Sequence, residues 1–441
     1  MILRARTVVP VTAPPIHDGA VWISGHQIRA VGPWSEIQEI QSGASGPVTG
    51  PVTDLGAVAL FPGLVNAHCH LDYTAMVGLL TPQREFPDWI KGILTLKSQW
   101  TDAEFEASWL LGARQQLETG TTTVANIETR AHQLAGLRAA TPLRIFSFLE
   151  MTGIRSGREP ERILAEAIEV LKSLPPNRGG VGLSPHAPYS TSPELLRVVA
   201  DAARRDGWRI TCHVAESEPE FDMFMYRRGS LFSWLENQRP SEDCGLGSPI
   251  QHLHRHGLLD SPLLAVHVNC LWGDDALRLA ARGASVVHCP RSHAYFSHPR
   301  FQREVLTEAG VPICLGTDSL ASTRASRDGP PVLSLIDELR AMASDDPSLS
   351  PRQMLAEVTI NPARALGLKS VLGELSTGAL ADLLVIPYAG SPATVEEALI
   401  HHRGPVAATM IGGRWEWIAP GCSVPVSKSG LTSSPLVRHS P

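Results

Sequence analysis

The chain has 441 residues, a formal net charge of -6 and 43% hydrophobic residues. This length fits one barrel-sized domain with a small second domain, and the mild charge provides no basic stripe of the kind that binds nucleic acid. No apolar run reaches the roughly 18 residues of a membrane span, and the stretch MILRARTVVPVTAPP has no signal-peptide pattern. The seven cysteines form no CxxC pair, which indicates a reducing compartment. We therefore predict a cytoplasmic protein that binds neither nucleic acid nor membranes.

The first 58 residues are rich in strand-forming sequence. ILRARTVVPV is one candidate strand, and GAVWISGHQIRAVG contains two more with a turn at SGHQ between them. The stretch SGASGPVTGPV, rich in Gly, Ser and Pro, predicts a loop. This segment is predicted to form part of a small β domain.

Between residues 59 and 368, eight short strand-like runs alternate with helical stretches. The runs are FPGLVNA, TTTVANI, LRIFSFLEM, GGVGLSP, WRITCHV, LLAVHV, ASVVHC and VPICLGT. The helical stretch EFEASWLLGARQQLE places four apolar residues on one face: Phe105, Trp109, Ala113 and Leu117. Another, STSPELLRVVADAARRDG, offers Ser192 as N-cap and Gly207 past its end. Eight strands alternating with helices predict an α/β fold, specifically a (β/α)8 TIM barrel that carries the catalytic site.

Strand character returns near Gly373, in GALADLLVIPY and AATMIGGRWEWI. Together with the first segment, these runs predict a discontinuous β-sandwich domain of residues 1–58 and 369–420 beside the barrel of residues 59–368. The segment 421–441 is rich in Ser and Pro and is predicted to be disordered.

Histidines and carboxylates fall repeatedly at the carboxyl ends of the predicted barrel strands, where barrel enzymes place their chemistry. The first strand ends in His68 and His70, which point to the same side because they are two residues apart. Later strands end in His186 on the fourth, His213 with Glu216 on the fifth, His267 on the sixth and Asp318 on the eighth. Each residue alone has an ordinary explanation, such as a helix cap. Their joint occurrence at one barrel mouth predicts a functional cluster.

Imidazole and carboxylate side chains are ligands of divalent metal ions. We predict that one ion, Zn²⁺ with Fe²⁺ or Mn²⁺ as alternatives, is bound by His68, His70, His213 and Asp318. Such an ion makes a bound water nucleophilic at neutral pH. Glu216 is predicted to act as the general acid–base that carries a proton to the leaving nitrogen. Asp318 is also predicted to accept the proton of the water, and His267 to orient that water.

The motifs PGLVNAHCH, CHVAE, LAVHVNCL, VVHCPRSHAYF and LGTDSLAS occur in an order that resembles the amidohydrolase superfamily. The third and fourth strand runs contain no lysine, whereas binuclear members carry a carboxylated lysine that bridges two metals. Within the superfamily the motifs are most similar to the mononuclear branch of deaminases and chlorohydrolases, and the absence of the lysine supports a single metal. The resemblance implies a hydrolase acting on carbon–nitrogen bonds other than peptide bonds (a cyclic amidine deaminase). It also implies that His186 contacts the substrate ring and that Ser322 lies beside the bound ligand.

The stretches HCHLDYT, FPDWIKGI and VVHCPRSHAYFSHP are similar to deaminases of aminodeoxyfutalosine, an aminopurine nucleoside on a route to menaquinone. The chain also resembles deaminases of S-adenosylhomocysteine and methylthioadenosine. These resemblances imply a small-molecule substrate of the aminopurine nucleoside type, and we expect a homo-oligomer. Arg291 or His293 is a further candidate substrate contact. Trp89 and Phe86 either cover the ligand or anchor a surface helix to the barrel.

Nucleoside-deaminating relatives often carry a carboxylate about two turns after the residue equivalent to Trp89, where it binds ribose hydroxyls. Here ILTLKSQW offers Lys97 and Gln99 at that place. Either the substrate lacks an ordinary ribose, or the role falls to one of three other acids: Asp72, Glu85 or Asp88.

Two other functions are compatible with the sequence. The chain could be a mononuclear amidohydrolase of another heterocycle, such as guanine, cytosine, a pterin or a chlorotriazine. It could also be a barrel without catalysis that serves as an interaction scaffold, although every predicted ligand position is filled. A second set of alternating histidines, His252, His254 and His256 in HLHRH, is predicted not to bind metal.

Overall fold

The structure is a computed structural model in which residues 1–42, 51–81, 83, 85–154, 157–324 and 330–422 are described. Residues 43–50 of the predicted loop and residues 423–441 of the predicted disordered tail lie outside the described residues. In the described part of the chain, no helix is both long and apolar enough to cross a membrane. The expectations of a cytoplasmic location and of a homo-oligomer stay predictions.

The amino-terminal segment forms five strands. They are β1 (Ile2–Val8), β2 (Ile16–Ser24), β3 (Gln27–Pro33), β4 (Val52–Asp54) and β5 (Val58–Pro62). The first three form an antiparallel meander, and the turn between β2 and β3 lies at the predicted SGHQ. Both β4 and β5 run parallel to β1.

The eight predicted barrel strands are confirmed, and they form one parallel sheet. They are β6 (Leu64–Cys69), β7 (Thr121–Glu128), β8 (Arg144–Met151), β9 (Gly180–Pro185), β10 (Ile210–Val214), β11 (Leu263–His267), β12 (Ser285–His288) and β13 (Ile313–Leu315). The first and last of these strands meet through a bridge between Cys69 and Asp318. The backbone N–H of Asp318 donates to the carbonyl of His68 at 3.2 Å. The barrel therefore closes where two predicted metal ligands lie.

Three strands follow the barrel: β14 (Leu383–Pro387), β15 (Ala408–Ile411) and β16 (Arg414–Ile418). Because β14 pairs with β5 in antiparallel orientation, the two ends of the described chain share one sheet of eight strands. Apolar side chains from both segments form a common core that includes Leu3, Leu60, Leu383 and Met410. The predicted union of the two segments is confirmed, whereas the exact domain limits stay a prediction.

Helices connect the strands and cover the barrel. In the described chain the α-helices are α1 (Trp34–Ser42), α2 (Phe86–Gln99), α3 (Asp102–Glu118), α4 (Leu134–Ala139), α5 (Pro160–Ser173), α6 (Pro193–Asp206), α7 (Glu218–Tyr226), α8 (Ser230–Leu235), α9 (Pro249–Arg255), α10 (Asp275–Ala281), α11 (Pro290–Phe296), α12 (Arg303–Glu308), α13 (Leu335–Asp345), α14 (Pro351–Glu357), α15 (Ile360–Ala365) and α16 (Val395–Ile400). Short 3-10 helices lie at Leu71–Met76, Ala131–Gln133, Pro188–Ser190, Leu258–Asp260, Leu320–Ser322 and Pro392–Thr394.

Both helices predicted in detail are confirmed. The apolar face of α3 is buried in the core, as its four-residue spacing requires, through Phe105, Trp109, Ala113 and Leu117. The hydroxyl of Ser192 caps α6 by accepting from the backbone N–H of Leu195 at 3.1 Å. The same helix ends at Gly207, whose φ of 75° is left-handed.

Gly63 marks the passage from the small sheet to the barrel. We predicted that the first barrel strand begins at Phe61, but Phe61 belongs to β5 and pairs with β14, and the barrel strand begins at Leu64. A Cβ atom at Gly63 would lie 2.3 Å from the side chain of Thr122. Glycine is therefore required where the chain leaves one sheet and enters the other.

Candidate active site

The predicted catalytic and metal-binding residues lie at the carboxyl end of the barrel. His68 lies inside β6, His213 lies inside β10 and His267 ends β11. His70, Glu216 and Asp318 follow β6, β10 and β13. All six side chains are buried. Because parallel barrel strands end at the same edge, these side chains converge.

The structure brings the four predicted metal ligands together. The Nε2 atoms of His70 and His213 lie 3.3 Å apart. The Oδ1 atom of Asp318 lies 3.6 Å from Nε2 of His68 and 3.7 Å from Nε2 of His70. The ligand atoms of His68, His213 and His267 also lie within 4.8 Å of one another. His267 thus adds a further nitrogen to the cluster.

The hydrogen bonds of the cluster fit a metal ion. Both ring nitrogens of His68, Nδ1 of His70 and Nε2 of His267 are buried without a hydrogen-bond partner among the described residues. Nδ1 of His213 donates to the carbonyl of His186 at 2.9 Å, which leaves the Nε2 lone pair free towards the cluster. Burial lowers the pKa values of His70 and His213 well below their usual range, and neutral imidazole is the form that binds metal.

The backbone is strained where it carries the cluster. Ala215, His267, Val268 and Asp318 have φ angles of 51°, 75°, 51° and 49°. Positive values are uncommon for residues other than glycine and are outliers for a β-branched valine. They occur just where β10, β11 and β13 end, and strain of this kind is typical of functional sites.

Glu216 lies beside the cluster, with its Oε1 atom 3.5 Å from Nε2 of His267. Its N–H donates to the carboxylate of Glu220 at 2.8 Å, and its carbonyl accepts from Asn269 at 2.9 Å. Burial and then the charge of Asp318 raise the pKa of Glu216 well above its ordinary value. A carboxyl group positioned in this way is suited to carry a proton.

A cavity of about 350 Å³ adjoins the cluster. Five of the residues named above line one end of it: His70, His213, Glu216, His267 and Asp318. The remaining walls are largely aromatic and aliphatic, and they include Tyr73, Phe86, Trp89, Ile90, Ile93, Ile154, Tyr189, Trp234 and Leu235. A few polar groups in an apolar lining are typical of a small-molecule site.

Two predicted substrate contacts, Trp89 and His186, line this cavity. Trp89 stacks on Phe86 with ring centroids 6.1 Å apart, and its Nε1 donates to the carbonyl of Ala321 at 3.4 Å. The two proposed uses of Trp89 therefore coincide, because it both lines the cavity and holds α2 against the barrel. The ring of His186 lies 4.8 Å from that of His213.

Arg291 does not belong to this cavity, contrary to our prediction. Its Nε donates to Oε1 of Glu338 at 2.5 Å, and its backbone N–H donates to the other oxygen at 2.9 Å. It lines a separate cavity, while its alternative His293 does not line the active-site cavity either. The buried carboxylate of Glu338 therefore holds the guanidinium outside the active-site cavity.

The side chain of Ser322 contacts Asp318, one of the predicted metal-binding residues, and does not line the cavity. It is fully buried and is not among the residues that line the cavity. Its hydroxyl donates to Oδ2 of Asp318 at 3.2 Å. The structure therefore places Ser322 beside Asp318 and not in the cavity lining, and we predict that it orients this carboxylate.

Ser322→Ala is expected to weaken zinc affinity by about 10–100-fold, because it removes the group that orients a ligand. Zinc titration of metal-free protein measures this effect. Thr323→Ala is the matched control, since its hydroxyl bonds to the carbonyl of Ser319 at 3.2 Å and not to Asp318. Equal affinities for wild type and Ser322→Ala would contradict the positioning role.

Four residues that line the cavity had no predicted substrate role: Tyr73, Lys97, Glu150 and Trp234. Tyr73 stacks on His70 with ring centroids 5.2 Å apart, and Nζ of Lys97 lies 5.0 Å from the centre of the Tyr73 ring. Glu150 lies near the end of β8, and Trp234 lies on α8. The strand-end rule could have indicated Tyr73 and Glu150, whereas no local pattern marks Trp234.

The three acids considered for ribose binding do not line the cavity. Asp72 is buried and accepts from the hydroxyl of Thr129 at 2.7 Å. Glu85 accepts from the hydroxyl of Ser230 at 2.9 Å and borders a separate cavity. Asp88 is exposed on the outer face of α2. The structure therefore does not place any of these three acids in the cavity lining.

Residues 59–415 match the Amidohydrolase family. The chain belongs to this family. The amidohydrolase is therefore a hydrolase of carbon–nitrogen bonds, as predicted. It is 30% identical over 380 residues to the 5-methylthioadenosine/S-adenosylhomocysteine deaminase of Syntrophobacter fumaroxidans, which covers 84% of this chain and 80% of that relative.

Solved structures share the fold of this amidohydrolase. An adenosine deaminase from Xanthomonas campestris with bound zinc matches with a TM-score of 0.79 and 24% identity, over 95% of this chain and 92% of that chain. The aminofutalosine deaminase of Helicobacter pylori in complex with methylthio-coformycin matches with a TM-score of 0.80 and 21% identity, over 94% and 99%. These likenesses confirm the predicted barrel fold.

Proposed function

We propose that this amidohydrolase is a metal-dependent deaminase that hydrolytically releases ammonia from a 6-aminopurine nucleoside. The observation that carries the proposal is the buried cluster at one end of an aromatic cavity, with Glu216 beside it. The name of the relative from Syntrophobacter fumaroxidans supports both the reaction and the substrate class.

The residues that would hold the metal are His68, His70, His213 and Asp318. Their nitrogen and oxygen donors suit Zn²⁺, and Fe²⁺ or Mn²⁺ as well. When bound, such an ion lowers the pKa of a water molecule from 15.7 to about 7 and polarises the bond that is attacked. Asp318 keeps Oδ2 in its hydrogen bond with Ser322 and presents Oδ1 to the histidines. Oδ1 is therefore the oxygen available as a ligand or as a proton acceptor.

Glu216 and His267 would handle the water and its protons. The Glu216 carboxyl lines the cavity and is therefore within reach of a bound substrate. It would take a proton from the attacking water and deliver it to the departing amino group. His267, 3.5 Å away, would hold the water by a hydrogen bond while it attacks. The net reaction consumes one water, releases ammonia and leaves a carbonyl on the ring.

The cavity favours a flat substrate with an apolar substituent. Aromatic side chains bind heterocycles by stacking, and here Trp89 and Tyr189 provide such surfaces. Ile154, Trp234 and Leu235 extend the lining with further apolar area. Methylthioadenosine, S-adenosylhomocysteine and aminodeoxyfutalosine are the candidate substrates, and a part in menaquinone formation depends on the last of them.

A substrate panel tests the proposal. Zinc-loaded protein is incubated with the three candidates and with adenosine, guanine, cytosine and a chlorotriazine, and ammonia and chloride are both measured. We expect ammonia from at least one 6-aminopurine nucleoside and none from cytosine. Ammonia from guanine or cytosine alone, or release of chloride alone, would assign the site to another heterocycle. Release of neither product would support a barrel without catalysis.

A further inference from the structure

Glu150 is a carboxylate in the active-site cavity that has no hydrogen bond to any described residue. It is the one residue of β8 that is only partly buried. Its side chain is 15% exposed, and it lines the cavity. Glu128 on the neighbouring strand shows the contrast, because its carboxylate accepts from Trp109 at 3.2 Å and from Ser147 at 2.9 Å. A carboxylate withdrawn this far from water is costly unless it finds donors, and here a ligand can supply them.

Glu150 lies at some distance from the metal-binding cluster, with His186 between them. Its Oε2 atom lies 3.9 Å from Nε2 of His186, and the ring of His186 lies against that of His213. Glu150 is therefore separated from the cluster by one imidazole. In a purine nucleoside whose amino-bearing carbon lies at the cluster, the sugar is attached on the opposite side of the bicyclic ring. The sugar would then extend into the part of the cavity whose lining includes Glu150.

The other charged groups of the cavity have different neighbours. Glu216 and Asp318 belong to the cluster itself. The ammonium of Lys97 lies over the ring of Tyr73, and it forms no ion pair with Glu150 within 4.0 Å among the described residues. Glu150 is therefore the remaining carboxylate of the described cavity lining that can serve a part of the substrate distant from the reacting carbon.

We propose that the carboxylate of Glu150 accepts hydrogen bonds from the sugar hydroxyl groups of the substrate. This inference rests on the proposed nucleoside deaminase function and adds a residue that sets its specificity. An ionised carboxylate has only acceptor sites, and its two oxygens match the two donors of a vicinal diol. Glu150 would thus supply, from β8, the acceptor that the segment ILTLKSQW after Trp89 does not offer.

The test compares two substrates in four proteins. The substrates are methylthioadenosine, or adenosine where the panel ranks it higher, and the 2′,3′-dideoxy analogue of the same nucleoside. The proteins are wild type, Glu150→Gln, Glu150→Leu and the carboxylate-to-amide control Asp88→Asn, all with verified zinc content and thermal denaturation. We expect Glu150→Leu to lower kcat/KM for the diol substrate by about 10–100-fold, because a hydrogen bond to a charged group is lost.

The dideoxy analogue tests the same interaction by removing the substrate hydroxyl groups that Glu150 is proposed to bind. In wild type it should be poorer than the diol by a similar factor, and Glu150→Leu should leave its kcat/KM unchanged. Glu150→Gln should lie between wild type and Glu150→Leu, and Asp88→Asn should behave as wild type. Equal losses for diol and analogue would overturn the assignment, as would an unchanged kcat/KM for the diol substrate in Glu150→Leu. Failure of wild type to release ammonia from any nucleoside would instead overturn the proposed function and this inference together.

Discussion

Replacing Glu216 by Gln is expected to lower kcat by about 10²–10⁴-fold while the metal content and the fold stay unchanged. Gln has nearly the same shape as Glu, but its amide cannot take up and return a proton. The carboxyl of Glu216 lines the cavity 3.5 Å from His267 and is not one of the four proposed ligands. Ammonia release, metal analysis and thermal denaturation measure turnover, loading and fold separately.

Glu218 provides the matched control for this substitution. It is exposed, two residues further along the chain, and it borders a separate polar cavity. The change Glu218→Gln is expected to leave kcat within about twofold, as is usual for surface substitutions. Undiminished turnover in Glu216→Gln would reject the proton-carrying role, and a joint loss of metal and turnover would show that Glu216 acts on the metal site instead.

The place of the proposed metal ligands could be predicted because it depends mainly on the backbone. Residues two apart in a strand point to one side, so His68 and His70 share a direction whatever surrounds them. Once eight alternating strands are recognised, His213 and Asp318 must end at the same edge of the barrel. The separation of 3.3 Å between Nε2 of His70 and Nε2 of His213 agrees with this regularity.

The substrate side could not be predicted in the same way, because it depends on side-chain direction. Arg291 comes soon after β12 as Asp318 comes soon after β13, but the carboxylate of Glu338, 47 positions further along the chain, takes its guanidinium. Ser322 is similarly drawn to Asp318. Trp234 reaches the cavity from a helix in the long connection between β10 and β11, and such loops vary independently of the barrel.

The boundary at Gly63 shows a second feature that could not be predicted from the sequence. FPGLVNA is one continuous apolar run, and a run of this kind does not reveal where one buried strand ends and the next begins. The structure divides it between β5 and β6, in two different sheets. The approach of Thr122 to Gly63 decides the division, and that contact is visible only in three dimensions.

Removal of a metal ligand is the second change with a large expected effect. His213→Ala is expected to leave the purified protein with little metal and to lower kcat by at least ~100-fold, because the metal supplies several kcal/mol of catalysis. The Nε2 atom of His213 faces that of His70, and its Nδ1 is already engaged by the carbonyl of His186. Alanine leaves the coordination incomplete, and no other imidazole of the cluster can replace both contacts.

His254→Ala is the matched control, since it also removes one imidazole from an alternating set. Nδ1 of His254 accepts from Arg278 at 2.8 Å, and His254 belongs to neither group of possible metal ligands in the described chain. Its replacement is expected to leave the metal content unchanged. Loss of metal in His254→Ala but not in His213→Ala would move the metal site from the barrel mouth to the HLHRH segment.

Metal binding is also expected to stabilise the folded chain, because unfolding would separate ligands that come from three distant segments. Free zinc at 100 times its Kd adds about 2.7 kcal/mol to the free energy of unfolding. Chelated wild type should therefore denature at a lower temperature than the zinc-loaded protein, and added Zn²⁺ should restore both the transition and ammonia release. In His213→Ala the same addition should shift the transition far less. A chelated wild type that keeps its transition temperature and its kcat would mean that the cluster holds no ion needed for either, and the proposed mechanism would then fail.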